Sequence, residues 1–190
     1  SNKSIITANR FDSAAQHAVF VKGSQKIQIK ENEVQRAKND AFNLETSTQV
    51  LVSKNKVTNV RYTSSTDSAL CININQEVPA KKANLGKPRP YNLTYSVKKG
   101  SDNRTGLFVQ GLAEPQDIVE VFFSDSISAS MNRYLLSDTA DIDGKWEIRV
   151  PRELYHRDTV TWYHCIAVAI RPDSNTSKTS AVLHIPPAYS

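Results

Sequence analysis

A chain of 190 residues with 39% hydrophobic residues can build one or two small cores, and no run approaches the roughly 18 apolar residues that a membrane-spanning helix needs. Six glycines supply no Gly-rich phosphate loop, and two cysteines are too few for a disulfide-dense scaffold. The net charge of +5 is unevenly spread: residues 1–88 hold 13 Lys and Arg against 7 Asp and Glu, and residues 89–190 hold 11 against 12. A basic first half suits an acidic partner, but its cations are not interleaved with aromatics, so nucleic-acid binding is not expected.

In chain order, Ala8, Phe11 and Ala15 share a helical face and predict a helix over 7–16. Residues 18–22 and 25–30 read as strands joined by Gly23-Ser24, a two-residue hairpin turn. Asn32 with Gln35 three residues on forms an N-cap box, and Val34, Ala37, Ala41 and Leu44 follow at helical spacing, which predicts a helix over 33–44. Residues 48–54, 57–63 and 69–75 read as strands, with turns at Asn55-Lys56 and 64–68. The expectation for residues 1–88 is a small basic α+β domain that resembles no particular family. Pro79, Gly86, Pro88 and Pro90 break regular structure around the basic cluster Lys81, Lys82, Lys87 and Arg89, which places a linker at 78–90.

The remainder, 91–190, reads as strands alone. Ile118 to Phe123 is a short, largely apolar strand bounded by Glu114-Pro115 and Ser124-Asp125, suited to the inside of a sheet. Trp146, Ile148 and Val150 alternate with Lys145, Glu147 and Arg149, one face dry and one wet, after the tight turn Asp143-Gly144. Residues 159–170 form a strand with Tyr163, Cys165, Ala167 and Ala169 on one face; the small alanines permit close approach of an opposing sheet. Residues 180–185 return as a last strand before Pro186-Pro187. Short strands with turn signals about every ten residues predict a β-sandwich. Residues 124–140 separate two strands by more than the usual two to five residues of a hairpin loop and are expected to be a surface excursion or an extra hairpin.

Four segments recur in a recognisable order: Gly111-Leu112-Ala113-Glu114-Pro115, Asp143 through Pro151, Ala167-Val168-Ala169 and Ser174-Asn175-Thr176-Ser177. In that order this stretch, about residues 92–186, resembles the bacterial Ig-like domains found in surface adhesins, secreted proteins and some phage virion proteins. The chain departs from that pattern at Gln116-Asp117, where family members carry Gly after Pro, and at Arg171, where calcium-binding members use acidic residues. The resemblance implies an Ig-like antiparallel β-sandwich in an extracytoplasmic setting, on a bacterial surface, in the periplasm or secreted, or in a virion.

No catalytic constellation stands out. His17, His156, His164 and His184 lie in no nucleophile motif. Asp141-Ile142-Asp143-Gly144 opens like a calcium loop, but Arg152 stands where the closing carboxylate belongs, so it reads as a hairpin turn. Cys71 and Cys165 have no second ligand at metal spacing; Cys71 is placed on the polar side of its strand, Cys165 in the sandwich interior, and two unpaired thiols are expected over a disulfide. The expectation is therefore a non-enzymatic structural or adhesive component with no catalytic, cofactor or metal site. Its partner would be another protein or its own copies, paired through edge strands at 180–185 or near Tyr91. The alternative is a carbohydrate-binding module using Tyr91, Tyr95, Tyr134, Tyr155, Trp162 or Tyr163.

Overall fold

The computed structural model describes residues 3–58, 71–74, 84, 87–124, 130–151 and 163–186. The protein is mainly β, and no α-helix forms among the described residues. The expected α+β character of residues 1–88 is thus overturned: the described strands there wind as a parallel solenoid of three coils.

The first coil holds β1 (Ser4–Thr7), β2 (Arg10–Phe11) and β3 (Val19–Lys22). The second holds β4 (Gln25–Lys30), β5 (Glu33–Val34) and β6 (Phe42–Glu45), and the third β7 (Thr48–Ser53), β8 (Lys56–Val57) and β9 (Ile72–Ile74). Like strands stack in parallel, giving sheets β1-β4-β7, β2-β5-β8 and β3-β6-β9. The register steps by 23 residues, as in Ile6 beside Ile29 and Phe11 beside Val34, except between β6 and β9, where Phe42 lies beside Ile72 and the third coil is longer. Inward positions repeat with it: Ile6, Ile29 and Val52; Phe11, Val34 and Val57; Ala14 and Ala37; Ala18 and Ala41. Each coil alone cannot bury its apolar side, so stacking makes the core.

This geometry accounts for three failed expectations. Val34, Ala37, Ala41 and Leu44 are buried because each points into the coil, and the 3–4 spacing arises from coil corners and not from a helix. The expected helix over 7–16 is instead β2 and a parallel bridge from Ala14 to Ala37. The strands flanking Gly23-Ser24 exist, but they pair with neighbouring coils and not with each other; Gly23, at φ 59°, turns a corner. The expected turn at 64–68 and most of the strand over 57–63 lie outside the described residues.

The corners repeat as well. Ala8, Glu31 and Lys54 adopt φ of 54°, 54° and 53°, an uncommon left-handed conformation for residues with a Cβ. Each is followed by an asparagine: Asn9, Asn32 and Asn55. Asn32 Oδ1 accepts from Asn9 N and Nδ2 at 3.0 and 3.1 Å, and Asn55 Oδ1 accepts from Asn32 N and Nδ2 at 2.9 Å each. The ladder has a direction, with the side-chain oxygens of Asn32 and Asn55 each turned toward the coil before it. Ser47 Oγ accepts in the same sense from Ser24 N at 3.1 Å.

Residues 91–186 form two antiparallel sheets. One has the order β10-β11-β14, from β10 (Tyr91–Lys99), β11 (Thr105–Leu112) and β14 (Lys145–Arg149). The other has the order β13-β12-β15-β16, from β13 (Arg133–Thr139), β12 (Ile118–Ser124), β15 (Tyr163–Ile170) and β16 (Leu183–Ile185). Leu107, Val109, Val119, Val121, Trp146, Ile148, Cys165, Ala167 and Ala169 fill the space between them. The sandwich, the inner position of β12, the wet and dry faces of β14 and the turn at Gly144 (φ 78°) agree with the sequence reading. The excursion over 124–140 contributes a full edge strand, β13. The last strand is shorter than expected. Ahead of it, Ser177 and Ser180 accept from Ala169 N and Ala167 N through their hydroxyls at 2.9 Å, extending the attachment to β15.

Candidate functional site

The chemistry of this protein is concentrated where the sandwich meets the solenoid. The β12 and β15 residues that do not face the sandwich interior, Phe122, Ile166 and Val168, join the solenoid core together with Met131. Residues 119–122 of β12 and 165–170 of β15 are therefore buried on both faces. β7 would otherwise leave a row of unpaired N–H groups at the last coil, and sandwich and linker side chains satisfy them. Asn175 Oδ1 accepts from Gln49 N, Asn84 Oδ1 from Val50 N, Thr176 Oγ1 from Val52 N and Glu120 Oε2 from Lys54 N, all at 2.9 Å. On the next face Val57 N donates to Met131 O at 2.9 Å. Asn84 Nδ2 also donates to Val50 O and Thr176 O, bridging the two parts.

Glu120 is a seam carboxylate that the solenoid reads directly, through Ser53 Oγ at 2.5 Å and Lys54 N at 2.9 Å. Desolvation raises its pKa, opposed by those two donors. A second buried group anchors the segment leading into β10. Lys87, which the sequence places in the basic cluster of a linker, has its side chain fully buried and pairs with Asp117 and Glu114, and Glu114 also pairs with Arg171. The Lys87 hydrogen bond holds Glu114 below the usual carboxylate range, whereas burial pushes Asp117 up. Arg171, noted as a departure from the calcium-binding pattern, serves this ion-pair cluster. Lys81 and Lys82 lie outside the described residues.

Other candidates serve the fold. Among the described residues no group of three His, Cys, Asp or Glu is placed to hold a metal ion. Asp141 Oδ1 accepts from Asp143 N and Lys145 N at 2.9 and 2.8 Å and closes a tight turn; β13 and β14 on either side of it lie in different sheets, so the expected hairpin turn is a crossover between the sheets. A shallow depression of about 520 Å³ lies beside it, lined by Gln110, Trp146, Glu147 and Asp138 among others. Asp138 Oδ2 there accepts from Glu147 N at 2.8 Å, so that carboxylate is engaged with backbone. His17 lies 3.7 Å from Asp40, and its Nε2 is met by Asn43 Nδ2 at 3.1 Å. His164 packs edge-on against His184, with ring centroids 4.8 Å apart; burial and the neighbouring imidazole lower its pKa. His156, Tyr155 and Trp162 lie outside the described residues.

Neither cysteine is in a disulfide and both are buried; burial pushes each thiol up to about 12, opposed at Cys71 by a hydrogen bond with the Met131 backbone. Cys165 occupies the sandwich interior as expected. Cys71 does not lie on a polar face: it is fully buried in the solenoid core, a separate cluster. Two inert thiols in different cores are structural packing.

The strands named as edges in the sequence reading are edges in the sheets: β10 bounds one sheet and β16 the other. β10 exposes Tyr91, Tyr95 and Val97. A row of three solvent-facing aromatics does not form among the described sandwich residues, where Tyr91 and Tyr95 are the exposed pair. Tyr134 and Tyr163 pack on Phe122 and Phe123.

Neither a scan against protein-family models nor a search of curated proteins finds a match to this chain. The functional residues that sequence reasoning missed are the ladder and the seals: Asn9, Asn32, Asn55, Ser47, Asn84, Glu120 and Thr176. The 23-residue repeat of Asn and of the inward aliphatics was the signal that pointed to the first three, and Ser24 with Ser47, at the same interval, to the fourth.

Proposed function

We propose that this protein is a non-enzymatic structural or adhesive component of an extracytoplasmic assembly, on a bacterial surface, secreted or in a virion. Its sandwich is of Ig-like type and acts as end-piece and protein-binding module of a β-solenoid rod. The observation that carries this reading is the sealed junction, in which one sheet forms the last layer of the rod and one wall of the sandwich. Such an arrangement builds a stiff particle with side-chain chemistry spent on backbone caps. The crossing of the chain between a three-stranded and a four-stranded antiparallel sheet supports the Ig-like reading.

Association would run through β10, whose edge carries unpaired backbone groups and exposed Tyr91, Tyr95 and Val97. Size-exclusion chromatography with light scattering on the whole chain, at low and high salt, tests this. The expected result is an assembly that Val97→Pro weakens while the fold is retained. A monomer under all conditions, coupled with a positive glycan array, would overturn it in favour of a carbohydrate-binding module.

A further inference from the structure

The two ends of the solenoid are unlike. At the last coil the sandwich covers the core and caps the strand edge. At the first coil β1, β2 and β3 are all edge strands with nothing paired beyond them among the described residues. The inward residues record the difference: Ile29, Val34, Ala37 and Ala41 of the second coil are buried, whereas their counterparts Ile6, Phe11, Ala14 and Ala18 are only partly so. Ile5 and Phe20, also on the first coil, are 58% and 52% exposed.

The ladder specifies what fits. Asn9 donates through N and Nδ2 to Asn32 Oδ1, and through Nδ2 to Thr7 O. Its own Oδ1 receives no hydrogen bond among the described residues. In the coils beneath, that position accepts the backbone N–H and side-chain amide of the preceding asparagine. A second copy placed end to end would turn acceptor toward acceptor at this rung, and among the described residues it has no open solenoid end other than this one to offer. We infer that the first-coil end of the solenoid is a docking surface for a further parallel β-coil, presented by its donor side, that carries an asparagine over Asn9 and aliphatic residues over Ile6 and Phe11. This rests on the burial gradient and the ladder polarity and is independent of the surface or virion reading.

The chain supplies its own probe. Joining a second copy of the sequence 24–46 directly ahead of Ser1 sets the copied Asn32 and Ile29 one repeat of 23 residues before Asn9 and Ile6. Three full-length proteins are compared with the wild type: one with this added coil, one with the added coil scrambled, and one whose added coil carries alanine in place of the copied asparagine. Thermal unfolding and residue-resolved hydrogen exchange are the readouts. The coil is expected to raise the midpoint by about 2–4 °C or more and to slow exchange across β1 and at Asn9 at least about tenfold, with the alanine version losing most of the gain. No protection of β1, or equal protection by the scrambled coil, would overturn the inference. So would wild-type β1 amides that become protected as protein concentration rises, which would make a second copy the occupant.

Discussion

Replacing Asn32 tests the solenoid where its polar interior is most concentrated. The side chain is buried; its amide faces Asn55 Oδ1 at 2.9 Å and the carbonyls of Ile6 and Lys30 at 3.0 Å, and its oxygen takes two donors from Asn9. At about 1 kcal/mol for each net hydrogen bond, with more where a buried partner is stranded, Asn32→Ala should cost about 2–4 kcal/mol. Asn9→Ala, at the open end where water replaces lost partners, should cost only about 0.5–1 kcal/mol. Asn32→Asp sets an acceptor-only carboxylate against three oxygens and should cost about 3–5 kcal/mol at neutral pH, less in acid where the protonated group can donate. Urea unfolding followed by circular dichroism, with the slope held constant, gives all three values. Equal losses at Asn9 and Asn32 would refute the claim that the ladder draws its strength from burial by a coil on each side.

Glu120→Ala strands Lys54 N–H and Ser53 O–H at the seam and should cost about 2–4 kcal/mol, measured by the same unfolding curves. Because the Glu120 pKa is raised in the folded protein above its ordinary 4.5, its contribution is greatest below 4.5 and declines as pH rises through the raised value; Glu120→Gln should remove that slope. His164 has the opposite sign. Its pKa is lowered from 6.5, so stability present above 6.5 is lost as pH falls through the lowered value, and His164→Phe should flatten the thermal midpoint between pH 7 and 5. Gly144→Ala puts a Cβ 2.4 Å from Ala113 O at φ 78° and should cost about 1–3 kcal/mol in thermal unfolding.

The sandwich was legible because its strands obey period two and its turns are marked: Trp146 and Ile148 face in, Lys145 and Glu147 face out, and Gly144 turns the chain. The solenoid was misread because its coil corners bring apolar residues inward every three to four positions, which imitates a helix at Val34, Ala37 and Ala41. Reading windows of a dozen residues finds that imitation; comparing Asn9 with Asn32 and Asn55, or Ile6 with Ile29, finds the repeat. The seam could not be read locally at all. Glu120 sits in an otherwise apolar strand as a lone polar interruption, and its partners Ser53 and Lys54 lie more than sixty positions away. Lys87 likewise looked like part of a charged linker until Asp117 and Glu114 were placed around it.

Residues 119–122 of β12 and 165–170 of β15 have no outside. A sandwich moved to another protein by recombination would carry Phe122, Ile166 and Val168 as a bare apolar wall, and a solenoid left behind would end on unsatisfied amides at Gln49, Val50 and Val52. The two parts must therefore be inherited together, and substitutions on one side of the seam should be tolerated only with matching changes on the other.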